Sequence, residues 1–357
     1  MRTKFAPTVW ILVLLAGTAA RPGFAQQAHW EALNQQLLEL YKTARYEQAI
    51  PVAKEALEVA RSTYGSTHFN VSTSLNNLAE MYRLTGRAEE AIPLYQQALK
   101  VAENAMGPDS SLVAAALNNL GELHRLRGEY GIAEPYYRRA LDIRQKTLGE
   151  EHPDLAQSFN NLALLLAAQN RFQEAEPLYT RALAFYRKAY GEQHALVAGL
   201  MSNLAECYRA EEKYNSAEPL YLKAIEINQK LLGPDSPVIA MNRNNLALLY
   251  AAQKKPKDAE RNFQQALAIG EKVYGADSMA LGTTLINLAT FYQEQGRYAD
   301  AEPLWRRVLQ MAERVYGPQD PHLAMPLQNL SETYIKLGKT REAAEMSQRA
   351  REVSAQP

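Results

Sequence analysis

Seven asparagines recur at a spacing of 42 residues, and their side-chain amides are the most regular candidates for binding chemistry in the chain. They are Asn77, Asn119, Asn161, Asn203, Asn245, Asn287 and Asn329, and four of them follow a second asparagine, namely Asn76, Asn118, Asn160 and Asn244. An amide offers an acceptor oxygen and two donor hydrogens, which suits hydrogen bonding to the backbone of an extended peptide whatever its sequence. The alternative is a structural ladder, in which the amides of neighbouring helices bond to each other.

Three glutamate–arginine pairs follow these asparagines: Glu80 with Arg83, Glu122 with Arg125, and Glu206 with Arg209. Residues three apart share one face of a helix, so we expect salt bridges on a solvated face, each contributing about 0.3–0.5 kcal/mol. Two other copies of the pattern have Leu164 and Leu248 at the glutamate position. The sequence therefore predicts a face that alternates charged and apolar patches and accepts a ligand with mixed side chains.

Three histidines, His68, His152 and His194, occupy equivalent positions and raise the question of a metal site. Equivalent points on stacked helical units lie about 8–10 Å apart, whereas two ligands of one zinc ion each bond it at about 2.0–2.1 Å. We therefore expect helix N-caps or loop residues. The sequence lacks HExxH, GxSxG, P-loop and dinucleotide-binding motifs, and its carboxylates are evenly spread. It predicts no catalytic residue, no metal and no cofactor.

The asparagines belong to a 42-residue unit that repeats along the chain and has the pattern of two helices. Leu75, Leu78, Ala79 and Tyr82 form the apolar stripe of an amphipathic first helix. The second helix is predicted to begin near Glu89, with a recurring proline marking its start and a recurring glycine as its left-handed cap. The prolines are Pro51, Pro93, Pro135, Pro177, Pro219 and Pro303, and the glycines are Gly65, Gly107, Gly149, Gly191, Gly233, Gly275 and Gly317.

The amino-acid composition argues against several classes of protein. The 357 residues include 39 Lys and Arg against 39 Asp and Glu, and 47% are hydrophobic. Such a chain is too apolar to be disordered, and without a basic surplus it is not expected to bind nucleic acid. The single cysteine, Cys207, excludes an intrachain disulfide framework and a multi-cysteine zinc site.

The first 25 residues have the pattern of a secretory signal peptide. Arg2 and Lys4 precede an apolar run over residues 9–16, and small residues lead to Ala25. The alternative is an uncleaved anchor, but the run is shorter than the ~20 residues that span a bilayer. We therefore expect a signal peptide at 1–25, a repeat region at 26–357, and export to a periplasm or to the medium.

The repeat resembles the tetratricopeptide repeat (TPR), in the 42-residue form found in kinesin light chains, over residues 28–355. Leu78, Ala79, Tyr82, Gly86 and Ala91 match its signature positions, whereas the kinesin light chain's other regions have no counterpart. The resemblance implies an all-α, right-handed superhelical solenoid of about eight repeats, with a concave groove for a partner protein or peptide. It places in that groove the asparagines and the glutamate–arginine pairs described above.

The sequence therefore favours a non-catalytic scaffold or adaptor for protein partners. One alternative is a solenoid that assembles with itself, and a further one is an envelope carbohydrate-binding or enzymatic accessory module. Three repeats depart from the pattern. The first lacks the asparagine pair, the sixth has Lys254, Lys255 and Pro256 in its turn and Arg261 in place of the expected proline, and the last has Glu345 and Ser347 in place of the proline and the aromatic residue.

Overall fold

A computed structural model of the protein describes residues 23–150 and 152–355. These residues form sixteen α-helices and two short 3-10 helices, without a β-strand in the described part of the chain. They divide into two compact units, the first ending at Ala189 and the second beginning at Tyr190. Of the expected signal peptide, only Gly23 to Ala25 are described, and they begin the first helix.

The helices alternate as the first and second members of hairpins. Up to the division between the units they are α1 (Gly23–Lys42), α2 (Tyr46–Tyr64), α3 (Phe69–Leu84), α4 (Ala88–Met106), α5 (Ser111–Leu126), α6 (Tyr130–Leu148), α7 (Leu155–Ala168) and α8 (Phe172–Tyr190). Those that follow are α9 (Ala195–Ala210), α10 (Tyr214–Leu232), α11 (Pro237–Ala252), α12 (Pro256–Tyr274), α13 (Gly282–Glu294), α14 (Tyr298–Tyr316), α15 (Ala324–Lys336) and α16 (Thr340–Ser354). Within each unit every hairpin packs on the next, so the predicted all-α solenoid of helix-turn-helix repeats is confirmed.

The core of six of the eight hairpins in the described residues combines a large side chain with an alanine on the second helix. The large side chains are at most 1% exposed, and they are Tyr95, Tyr137, Tyr179, Tyr221, Phe263 and Trp305. An alanine precedes each of them by four residues, as Ala91 precedes Tyr95, and is fully buried. Because residues four apart lie on one helix face, the small alanine lets the first helix approach closely while the large ring fills the space beside it.

The loops between hairpins cap the first helices as predicted. The imidazole Nδ1 atoms of His68 and His194 accept hydrogen bonds from the backbone N–H groups of Asn70 and Leu196, each at 3.2 Å. His152 accepts in the same way from the Asp154 N–H. In the remaining loops Ser110, Ser236, Ser278 and Asp320 provide the side-chain acceptor.

Two details of the second helices differ from expectation. Pro93 is the sixth residue of α4, and the Ala91 N–H already donates to the Arg87 carbonyl, so the proline lies about one turn past the start and removes a helical hydrogen bond. The terminal glycines do not adopt the left-handed helical conformation. Gly107 has φ +81° and ψ +162°, a region that is essentially restricted to glycine.

No helix among the described residues combines the length and the apolar character needed to cross a lipid bilayer.

Candidate functional site

The asparagine doublets form a ladder of hydrogen bonds between successive first helices. Each rung joins an asparagine to another that lies 43 residues later in the sequence. The rungs are Asn77 Nδ2 to Asn34 Oδ1 (3.0 Å), Asn119 Nδ2 to Asn76 Oδ1 (2.9 Å), Asn161 Nδ2 to Asn118 Oδ1 (2.8 Å) and Asn287 Nδ2 to Asn244 Oδ1 (3.1 Å). The first asparagine of a doublet therefore accepts from the following repeat, and the second donates to the preceding one.

The ladder is interrupted where a doublet is incomplete. Ile286 replaces the accepting asparagine, and the Asn329 amide donates instead to the Met325 carbonyl of its own helix (3.0 Å). Ser202 likewise replaces an accepting asparagine, and its hydroxyl bonds to Asn242 Oδ1 (3.1 Å). The ladder alternative of the sequence analysis is thus confirmed, and a rung forms within a unit only where both partners are asparagine.

Each rung leaves part of the amides unused. Asn76 Nδ2 and Asn77 Oδ1 bond to no described residue, and neither atom is sealed from solvent. Both residues line a small pocket between α3 and α5, together with Thr73, Leu112 and Ala115. We call the face of the first helices that carries the doublets the amide face. In the doublets Asn76–Asn77 and Asn118–Asn119, the ladder leaves a donor on the first asparagine and an acceptor on the second available to a ligand, whereas Asn244 Nδ2 donates to Asn245 Oδ1 (3.4 Å).

The three glutamates beside the amide face are held by the second helix as well as by arginine. Glu80 Oε2 accepts from the Tyr95 hydroxyl (2.6 Å) and from Arg83 Nε (2.7 Å), while Arg83 Nη2 donates to Glu80 Oε1 (2.5 Å). The same arrangement recurs as Glu122, Arg125 and Tyr137, and as Glu206, Arg209 and Tyr221.

The expectation that these pairs lie on a solvated face was wrong for Glu80 with Arg83 and for Glu122 with Arg125, whereas Glu206 and Arg209 are partly exposed. The Glu80 side chain is only 1% exposed and that of Arg83 9% exposed. Periodicity within one helix did not reveal the tyrosine, which lies fifteen residues later on the second helix. The sequence offered only an inconsistent signal, because the repeat with Leu248 in place of glutamate has Phe263 in place of tyrosine but the repeat with Leu164 retains Tyr179.

The electrostatics of these triads make proton transfer unfavourable. Burial and the negative charge of Glu80 raise the pKa of Tyr95 well above its ordinary value. Burial alone would lower the pKa of Arg83, but Glu80 outweighs it and the pKa of Arg83 is raised. A neutral phenol and a permanent guanidinium both donate to one carboxylate, so the triad acts as a structural clamp.

The remaining predicted residues lie on the same helices but differ in exposure. Asn118, Asn119, Asn161 and Asn244 are buried, whereas Asn160, Asn203, Asn245, Asn287 and Asn329 are partly exposed. The sequence analysis missed Asn34, because the first repeat lacks the complete doublet. A spacing of 43 residues, one more than the repeat, would have identified it. Three or more His, Cys, Asp or Glu side chains able to hold a metal do not converge anywhere in the described residues.

The profile of the tetratricopeptide repeat family matches residues 38–104, 112–188, 196–272 and 280–356, which is most of the chain. The chain is a tetratricopeptide-repeat protein. TPR proteins typically bind protein partners, and the repeat is generally a non-catalytic scaffold fold. The resemblance inferred from the sequence is therefore confirmed, and the family supports a protein-interaction scaffold.

Solved structures of other TPR proteins are similar to this one. BtubC (BKLC) from P. vanneervenii is 26% identical, with a TM-score of 0.55 over 64% of this chain and 92% of that one. The apo form of RapI is 16% identical, with a TM-score of 0.63 over 92% and 97% of the two chains. PilF from Pseudomonas aeruginosa is 18% identical, with a TM-score of 0.53 over 76% and 99%. The last two similarities concern the fold alone. No match was found among curated proteins.

Proposed function

We propose that this TPR protein is a non-catalytic scaffold that holds an extended segment of a partner protein along its amide face. The observation that carries the proposal is the way the doublets Asn76–Asn77 and Asn118–Asn119 share their hydrogen-bonding groups between the ladder and a ligand. Asn76 uses its oxygen in the ladder and keeps its amino group, whereas Asn77 uses its amino group and keeps its oxygen. The ladder thus orients the amides and leaves them able to bind.

The unused groups suit a polypeptide backbone better than a particular side chain. An extended chain advances about 3.3 Å per residue, so the 8–10 Å between packed helices corresponds to about three residues. Each repeat with a complete and unoccupied doublet then meets one backbone N–H and one carbonyl with one amide oxygen and one amide nitrogen. Because such contacts ignore the ligand's side chains, affinity for backbone comes from the asparagines and specificity from neighbouring positions such as Thr73 and Ala115.

Site-specific photo-crosslinking tests the proposal. A benzophenone amino acid at Ala115 lines the pocket without removing a ladder bond, because the alanine side chain has no polar atom. The matched control is Gln96, which is exposed on the second helix α4. We expect crosslinks to a polypeptide in host extracts from position 115 and none from position 96. Equal crosslinking from both positions, or none from position 115, would contradict binding along the amide face.

We also propose that the protein is exported and that cleavage follows Ala25. The pattern of residues 1–25 supports this, and cleavage there would remove only the first three residues of α1. Trp30, which anchors α1 through a 2.8 Å hydrogen bond from its indole N–H to the Ser74 hydroxyl, would be retained. N-terminal sequencing of the protein from fractionated host cells should find Gln26 first. An intact Met1 in the cytosolic fraction would rule out export.

A further inference from the structure

The turn between α11 and α12 concentrates positive charge in a way that no other repeat does. Residues 243–261 contain five basic side chains and two acidic ones, a net charge of +3, whereas the equivalent stretches of the other seven repeats range from −2 to 0. The basic residues are Arg243, Lys254, Lys255, Lys257 and Arg261. In a chain with no net charge, this is a local feature that the amide face does not explain.

Only part of this charge is used in folding. Lys255 is 3.5 Å from Glu218 and lies over the Tyr250 ring, as basic residues do at the same position in other repeats. Arg261 pairs with Asp258 at 2.7 Å. Lys254 and Lys257 are exposed, and no carboxylate of the described residues lies within ion-pair distance of either ammonium group. These two lysines are therefore available to an external anion.

Arg243 extends the charge along α11. It occupies a position that is apolar in the other repeats, for example Leu75, and its guanidinium donates to the amide oxygens of Asn262 (3.3 Å) and Gln265 (2.7 Å). These partners are neutral, and Arg261 is the charged side chain that acts on it. A cation held by neutral groups beside a second cation is stabilised by any anion that binds nearby.

The backbone conformation of the turn does not require a lysine at position 254. Lys254 has φ +57°, and Gly86, Gly128, Gly296 and Gly338 occupy the same position with positive φ in other repeats. The left-handed conformation costs a residue with a side chain about 1 kcal/mol, so glycine would make the turn more stable. Three further repeats also have a non-glycine residue here, but none of these adds a cation.

We propose that Arg243, Lys254, Lys257 and Arg261 form a docking site for a short acidic segment of a partner polypeptide, separate from the amide face. The acidic residues of the neighbouring turn favour a short ligand over an extended one. The equivalent turn of the preceding repeat, in the same unit, contains Glu211 and Glu212. Glu211 pairs with Lys213 at 2.5 Å, but Glu212 is exposed. Because packed helices lie about 8–10 Å apart, a membrane surface or a long nucleic acid would bring its phosphates against Glu212. A segment with a few consecutive Asp or Glu residues meets the basic turn alone.

Fluorescence anisotropy with the full chain and a labelled hexaglutamate peptide tests this site. We expect saturable binding at 50 mM NaCl that weakens at 300 mM NaCl, because screening shortens the range of exposed charges. The double variant Lys254→Glu/Lys257→Glu should lower the affinity about tenfold or more, since like charges then face each other. Glu212 already adopts φ +59° in the preceding repeat, so a glutamate at position 254 is compatible with the turn.

The control variant is Lys100→Glu/Lys188→Glu, which changes the net charge by the same amount at exposed positions of the other unit. It should retain the wild-type affinity to within about twofold, and circular dichroism should show the same helix content for all three proteins. Equal losses in both variants, or no peptide binding by the wild type, would overturn the proposal. Binding of phosphatidylglycerol vesicles or a single-stranded oligonucleotide, without binding of the peptide, would overturn it in favour of those ligands. Peptide binding at the basic turn does not depend on crosslinking at position 115, so the two proposals can fail separately.

Discussion

At the scale of single residues, the asparagine doublet shows how one residue type serves two purposes. Asparagine is a mediocre helix former, yet it is retained in the middle of helices because each rung satisfies a donor and an acceptor that would otherwise be left between packed helices. The sequence established that the amides needed a purpose but left open whether it was a ladder or a ligand. The hydrogen bonds between successive helices establish the ladder, and in the doublets Asn76–Asn77 and Asn118–Asn119 they leave one donor and one acceptor for a ligand.

A double-mutant cycle measures the rung between Asn76 and Asn119. Each single change to alanine should lower the free energy of unfolding by about 1–2 kcal/mol, because it leaves the partner amide unsatisfied. The double variant should cost less than the sum, because both partners are then absent. Urea unfolding followed by circular dichroism provides the values. Asn329→Ala is the control, because that amide bonds only within its own helix; full additivity at 76 and 119 would refute the rung.

The histidine N-cap of α3 makes stability depend on pH. His68 must present a neutral Nδ1 lone pair to the Asn70 N–H, and burial between Tyr64 and Phe69 lowers the pKa of His68. With the folded pKa below the unfolded value of about 6.5, this stabilisation is complete above pH 6.5 and is lost as pH falls through the folded pKa. His68→Asn retains the cap without titrating. Its melting temperature should fall less than that of the wild type between pH 7.5 and 5.5, and parallel losses would contradict this assignment.

At the scale of elements, features within one helix or loop could be predicted from the sequence, whereas contacts between two helices could not. The helix pairs, the N-caps and the buried alanines follow from spacings within one helix or one loop, so periodicity was sufficient to predict them. Glu80 was misplaced on a solvated face because Tyr95 is on the next helix, outside any i, i+3 or i, i+4 relation. Pro93 was placed at the helix start for a related reason, since composition alone does not locate the first hydrogen bond of a helix.

A later repeat of the same chain has apolar residues at the three positions of the buried triad. Glu80→Leu alone should lower the free energy of unfolding by about 3 kcal/mol or more, because it leaves Arg83 and the Tyr95 hydroxyl buried without their acceptor. The triple variant Glu80→Leu/Arg83→Ala/Tyr95→Phe copies the residues of a later repeat, Leu248, Ala251 and Phe263. It should be more stable than the single variant in urea unfolding. A triple variant as unstable as the single one would show that the triad is not a self-contained clamp.

At the scale of the whole molecule, ion pairs connect four of the repeats to the repeat before them, within one compact unit in each case. A basic residue after the turn meets a glutamate 37 positions earlier: Arg171 with Glu134, Lys255 with Glu218, Arg297 with Glu260, and Lys339 with Glu302. Arg297 also lies over the Tyr292 ring, whose hydroxyl donates to the same Glu260. The hydrogen bonds from Arg297 lower the pKa of Glu260, so the pair is charged at neutral pH. Such pairs connect nearest neighbours only.

Nearest-neighbour coupling predicts that damage to one such pair stays local. Arg297→Ala removes a partly exposed ion pair and a cation–π contact, so we expect a loss of about 1 kcal/mol. In repeat proteins, stability is approximately a sum of repeat and interface contributions, so hydrogen exchange should accelerate in α12, α13 and α14. Exchange in α3, α4 and α5, several repeats away along the chain, should be unchanged. The control is Lys230→Ala, which breaks a pair within α10 and should accelerate exchange neither in α12–α14 nor in α3–α5. Uniform acceleration in the Arg297 variant would instead show that all repeats unfold as one cooperative unit.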